Sequence, residues 1–143
     1  MRTTFKVIPN LCCYLIIATS VLGCATNPVT GKSELSIISA NWELQTGKQN
    51  YLPMRQSQGG DYLADPKVQA YVREVGNKLA AVSDRKLPYE FCVVNDSTAN
   101  AWALPGGKIA VHRGLLTELK SEAELAAVLS HEIVHAAALT LSL

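Results

Sequence analysis

Two of the three histidines in this 143-residue chain stand four positions apart, in His131-Glu132-Ile133-Val134-His135, and they constrain the fold around them. Upstream, Ser121-Glu122-Ala123-Glu124 reads as a capping box, with Ser121 as N-cap and Glu124 reaching back. Leu125, Ala126, Ala127 and Leu129 are strong helix formers. On a helix, residues four apart are offset by only about 40°. His131 and His135 then project one turn apart from one face and can grip one metal ion. Neutral imidazole is a good zinc ligand, and zinc in a catalytic site takes three protein ligands plus a water. Glu132 points in a neighbouring direction, suited to take the proton of that water. The bland alternative is two surface histidines on a helix with an unrelated Glu between them.

Residues 1–23 read as a lipoprotein signal peptide. Arg2 and Lys6 form a positive start, and Leu11 to Leu22 an apolar stretch too short for a comfortable membrane span. Val21-Leu22-Gly23-Cys24 resembles the bacterial lipobox, in which Cys24 becomes the lipid-modified first residue. An uncleaved N-terminal anchor is the alternative. Either way the expectation is an exported chain held at a membrane. Ala25, rather than Asp, follows the cysteine, which by resemblance to Gram-negative lipoproteins favours the outer membrane, with the domain facing the periplasm. Cys12 and Cys13 would leave with the leader and Cys24 would carry lipid. Cys92 remains, a small core residue without a disulfide partner. Thirteen Lys and Arg face twelve Asp and Glu, so no basic patch points to nucleic acid.

Residues 24–38 read as a turn-rich tether and 39–143 as one domain. Ser39 to Met54 is a weakly amphipathic first helix, with Gly47 an unfavourable residue inside it. Asp65-Pro66 marks a second helix start, with Asp as N-cap and Pro at the first position. Val68, Tyr71, Val72, Val75, Leu79 and Val82 follow at core-packing spacings, to about Ser83. Tyr89 to Val94, Ala99 to Leu104 and Lys108 to His112 read as strands. Pro105-Gly106 fit the centre of a type II turn. The order of helices and strands predicts an α+β domain, helices packed beside a small sheet.

Asn100-Ala101-Trp102-Ala103-Leu104-Pro105-Gly106-Gly107-Lys108-Ile109-Ala110-Val111-His112-Arg113-Gly114-Leu115-Leu116 closely resembles the N-A-F-A-x-P-G-G-x-I-x-V-x-x-G-L-L signature of metallopeptidase family forty-eight, with Trp102 where Phe is usual. Glu122 to His135 resembles that family's active-site helix. The family includes CAAX prenyl endopeptidases, Oma-type mitochondrial peptidases and bacterial periplasmic lipoprotein peptidases. The resemblance implies a zincin-like fold, zinc held by His131 and His135, Glu132 as general base, and polypeptide substrates. It also implies that Asn100 and Ala101 belong to the strand that lies along the substrate. A plain strand-end role for Asn100 stays open. His112 reads as a strand residue with a local partner rather than a ligand.

The pattern is lost at Leu139. The family helix continues H-x-x-x-R-H, whereas Leu139 and Thr140 hold those places here, and no Glu, Asp, His or Cys follows His135. The family's third zinc ligand, a Glu on a later helix, is therefore absent from this chain. The expectation is a member whose C-terminal part is missing. Two functions follow: a zinc endopeptidase of the cell envelope that cleaves misfolded envelope proteins, or an inactive lipoprotein that binds extended segments.

Overall fold

A computed structural model describes residues 24–26 and 33–35, for their backbone, and residues 40–138 with their side chains. The leader over 1–23 and the break in pattern at Leu139 lie outside the described residues. Strands β1 (Cys24–Thr26) and β2 (Ser33–Leu35) pair antiparallel, Cys24 opposite Leu35. The stretch read as a tether thus contains a short two-stranded sheet.

Helix α1 spans Ala40–Ser57, through both Gly47 and Pro53. Gly47 is there for space: a Cβ on it would lie 1.8 Å from the Pro105 carbonyl oxygen. Helix α2 (Pro66–Ala81) starts where the sequence places it. Pro66 takes the first position and the Asp65 carboxylate accepts the Lys67 N–H at 2.9 Å. Val72 and Val75 are buried, and Val68 and Leu79 pack partly against the same core. Tyr71 and Val82 do not join them. Val82 is 81% exposed because the helix ends at Ala81, before its next turn could bring that side chain inward. Tyr71 lies at the edge of the stripe and reaches Glu122 with its hydroxyl, at 2.9 Å.

The strands are β3 (Glu90–Val94), β4 (Ala101–Leu104) and β5 (Lys108–His112), in the spatial order β3-β5-β4. The chain leaves β3, crosses to the far edge as β4, and returns antiparallel to it as the central strand, which runs parallel to β3. The turn between β4 and β5 uses positive φ at both Gly106 (73°) and Gly107 (79°), where the sequence required it of the first alone. A short helix, α3 (Arg113–Glu118), then leads to α4 (Glu122–Ala138).

The sheet is covered on both faces. Phe91, Val93, Ile109 and Val111 alternate onto one face and meet Val72 and Val75 of α2 and Leu125, Leu129, Ile133 and Ala136 of α4. Cys92, Val94 and Ala110 face the other way, onto Tyr51 of α1, with Trp102 set edge-on to the Tyr51 ring. Burial pushes the Cys92 thiol and the Tyr51 hydroxyl above their usual ranges. Cys92 is the core residue expected, and Tyr51 stays neutral, donating to the Ile109 carbonyl at 3.0 Å. The outer edge of β3 is closed by Gln69. Its side-chain amide accepts from Val93 N–H at 2.9 Å and donates to the Val93 carbonyl at 2.7 Å, as a neighbouring strand would. No helix among the described residues is long and apolar enough to cross a membrane.

Candidate metal centre

Helix α4 carries the motif, and its start is fixed by two caps. Ser121 Oγ accepts the Glu124 N–H at 3.2 Å, and Glu124 Oε2 accepts the Lys120 N–H at 2.7 Å. The second arm of the capping box therefore lands one residue earlier than the sequence reading put it. Leu125, Leu129, Ile133 and Ala136 anchor the helix on the core. That anchoring decides where the motif points. His131 and His135 face outward, and Glu132 sits at the margin, 8% exposed.

The two Nε2 atoms are 2.9 Å apart, with ring centroids at 4.4 Å and planes nearly perpendicular. In a tetrahedral zinc site with bonds of about 2.0–2.1 Å, two ligand nitrogens stand about 3.3 Å apart. The pair is within a few tenths of an ångström of that separation, so both nitrogens can reach one cation. Among the described residues, no cluster of three or more His, Cys, Asp or Glu side chains is arranged to hold a metal. His131 and His135 thus fit as two of the three protein ligands of a catalytic zinc.

Glu132 accepts no hydrogen bond and forms no ion pair among the described residues. None of its oxygens is sealed from solvent, since no side-chain oxygen or nitrogen among those residues is both sealed and unpartnered. Helix α4 packs against β4, and β4 is an edge strand. His112 N–H donates to the Asn100 carbonyl at 2.9 Å, which fixes the alternation of the ladder. Ala101 and Ala103 therefore turn their N–H and C=O groups to the open edge. Of the two residues the resemblance assigned to substrate, Ala101 presents free backbone groups outward, whereas the Asn100 carbonyl is used within the sheet.

His112, the third histidine, is buried away from the pair. Its Nδ1 lies 2.8 Å from Thr98 Oγ1 and its Nε2 2.8 Å from Gln58 Oε1, which also accepts the Trp102 Nε1–H at 2.5 Å. It is a strand residue with side-chain partners, as expected, though one of them, Gln58, comes from the residue that follows α1. Asp96 accepts both the N–H and the hydroxyl of Thr98, and these bonds hold its carboxyl below the usual carboxylate range.

Glu43 and Arg85 carry no mark in the sequence. Glu43 is buried in α1 and Arg85 comes from the loop between α2 and β3, and they form a two-bonded ion pair at 2.8 and 3.1 Å. Their partners lie tens of residues away in sequence, so no local spacing marks them.

Comparison with known proteins gives one family. The profile of Peptidase family M48 matches residues 66–139. The chain is similar to the beta-barrel assembly-enhancing protease of Yersinia pestis, 34% identical over 109 residues that cover 76% of this chain and 22% of that protein. It is similar to the protein of the same name from Escherichia coli strain K12, 32% identical over 111 residues, 77% of this chain and 22% of that one. It is also similar to the mitochondrial metalloendopeptidase OMA1 of Schizosaccharomyces pombe, 34% identical over 110 residues, 76% of this chain and 33% of that one. The chain spans between about a fifth and a third of the length of these curated relatives.

Proposed function

The chain belongs to Peptidase family M48, with relatives of the Oma type, and on that premise we propose that it acts as a zinc-dependent endopeptidase of the bacterial cell envelope. The observation that carries the proposal is the convergence of His131 and His135 at 2.9 Å, next in sequence to a Glu132 without a partner among the described residues, on a helix that packs against the edge strand β4.

His131 and His135 would hold zinc through Nε2. Bound zinc lowers the pKa of a water to about 7 and polarises a scissile carbonyl. Glu132 would take the proton of the attacking water and pass it to the leaving amine. An extended substrate segment would add as a strand beside β4, exchanging backbone hydrogen bonds with Ala101 and Ala103. The Asn100 side chain is exposed at the start of that strand and would meet the same segment. Cys24 would carry the lipid anchor, with the domain in the periplasm at the outer membrane. The substrates would be misfolded envelope proteins. Support for the compartment comes from the leader pattern and from bacterial relatives named for beta-barrel assembly.

The test is zinc stoichiometry on the purified chain after dialysis against a weak chelator, with casein hydrolysis measured beside it. One zinc per chain, lost together with hydrolysis in His135→Ala, is the expected result. No retained zinc and no hydrolysis would sink the peptidase reading. A second reading would then stand, the binding of extended segments without cleavage, because the outward groups of Ala101 and Ala103 belong to the sheet edge and not to the histidine pair. Ala103→Pro probes that edge in either case. It removes an outward N–H and leaves the ladder to β5 intact. It is expected to raise KM, or the Kd for an unstructured peptide, about tenfold with little change in kcat. An unchanged KM and Kd would place the substrate elsewhere.

A further inference from the structure

Arg85 makes more contacts than a charge partner for Glu43 needs. Its side chain is 16% exposed and that of Glu43 is 1% exposed. Nη1 and Nη2 donate to the two Glu43 oxygens, a fork-to-fork pairing that fixes orientation as well as charge. Nη1 also donates to the Ala137 carbonyl at 2.9 Å. That carbonyl belongs to the last described turn of α4. It lies two residues beyond His135. On the other side, Glu43 Oε1 accepts the Gly106 N–H at 3.3 Å, in the turn that closes β4.

One buried pair therefore fastens two pieces of the site at once: the helical turn that carries His135 and the turn at the end of the edge strand. The other contacts of α4 are mostly apolar and non-directional. A buried ion pair is poor value as a source of stability, because desolvation offsets most of the attraction. Its distinctive contribution here is geometric. Lysine could neutralise Glu43 but cannot hold the fork and the helix carbonyl together.

We propose that Arg85, oriented by Glu43, is a positioning residue that sets His135 against His131 and holds both in register with the β4 edge. The proposal rests on the peptidase reading for its consequence in catalysis, but its structural core does not.

The test is Arg85→Lys in the full chain, compared with wild type in three measurements: amide hydrogen exchange without metal, affinity for Co²⁺ in place of zinc, and the thermal melt. The expected result is a melt within a few degrees of wild type. Exchange at residues 133–138 should rise at least tenfold with the rest of the helices unchanged. Co²⁺ affinity should fall about tenfold with a shifted visible spectrum, and KM should rise with it. If Arg85→Lys does not fold, the neutral pair Glu43→Gln with Arg85→Gln takes its place, read in the same way. Unchanged exchange at 133–138 overturns the proposal. So does exchange that rises evenly through every helix, because that is a loss of general stability. Failure of the wild-type chain to bind Co²⁺ would instead remove the peptidase reading, while the exchange result would still decide whether Arg85 fixes the helix end.

Discussion

Glu132→Gln is expected to lower the rate of peptide hydrolysis by about 10²–10⁴-fold while leaving metal binding and stability unchanged. The size of the effect follows from the role proposed for the carboxylate. A glutamine has the same shape but no basicity, so it cannot take a proton from the attacking water or return one to the leaving amine. The selectivity of the effect follows from the surroundings. Glu132 is mostly buried yet has no hydrogen-bond or ion-pair partner among the described residues, so the amide breaks no bond there. His131 and His135 keep their mutual geometry, so zinc bound by the pair would be retained. The measurement is kcat/KM on an unstructured peptide, with zinc content and the melting temperature of the same preparation. Activity above about a tenth of wild type, with zinc in place, would mean that another group serves as the base.

The motif helix was legible because its evidence is local. Spacing, cap and helix propensity all lie within Ser121 to His135, and the helix runs Glu122–Ala138. The three strands were legible for the same reason, and so were the buried Cys92 and the strand role of His112. What the sequence hid is where chain segments meet. The order β3-β5-β4 depends on a parallel pairing between strands that are not consecutive, and no alternation in either strand records it. Gly47 looked like a weakness in α1 because propensity is a local quantity, whereas its reason is the Pro105 carbonyl across the interface. Gln69 lies on a helix that shows a clear apolar stripe, but its function is to stand in for a missing strand. Glu43 and Arg85 pair across 42 residues, and Gln58 and His112 across 54. In these pairs no local spacing marks the polar side chain, because its partner is distant in sequence. The Asn100 carbonyl accepts the His112 N–H, a ladder bond that the family signature does not record.

Gly47→Ala is expected to destabilise the fold by about 3 kcal/mol or more, the upper end of what overpacking costs. Helix propensity alone predicts the opposite sign, a gain of up to about 1 kcal/mol for alanine inside a helix. Space decides between them. The new Cβ would stand 1.8 Å from the Pro105 carbonyl oxygen and 2.8 Å from its carbon, and both are backbone atoms. Relief requires α1 or the β4–β5 turn to move. The turn is held by two consecutive glycines at positive φ and by the Gly106 N–H bond to Glu43. Movement there would loosen the Glu43–Arg85 pair and with it the end of the motif helix. The variant should therefore melt roughly 10 °C or more below wild type and bind metal more weakly as well. Gly60→Ala separates space from backbone conformation. Gly60 has positive φ (74°) but nothing within 4 Å of an added Cβ, so it should cost only the left-handed penalty of about 1–2 kcal/mol and leave metal binding alone. If Gly47→Ala melts at or above the wild-type temperature, α1 does not press on the β4–β5 turn in solution, and the route from Glu43 to the metal site fails with it.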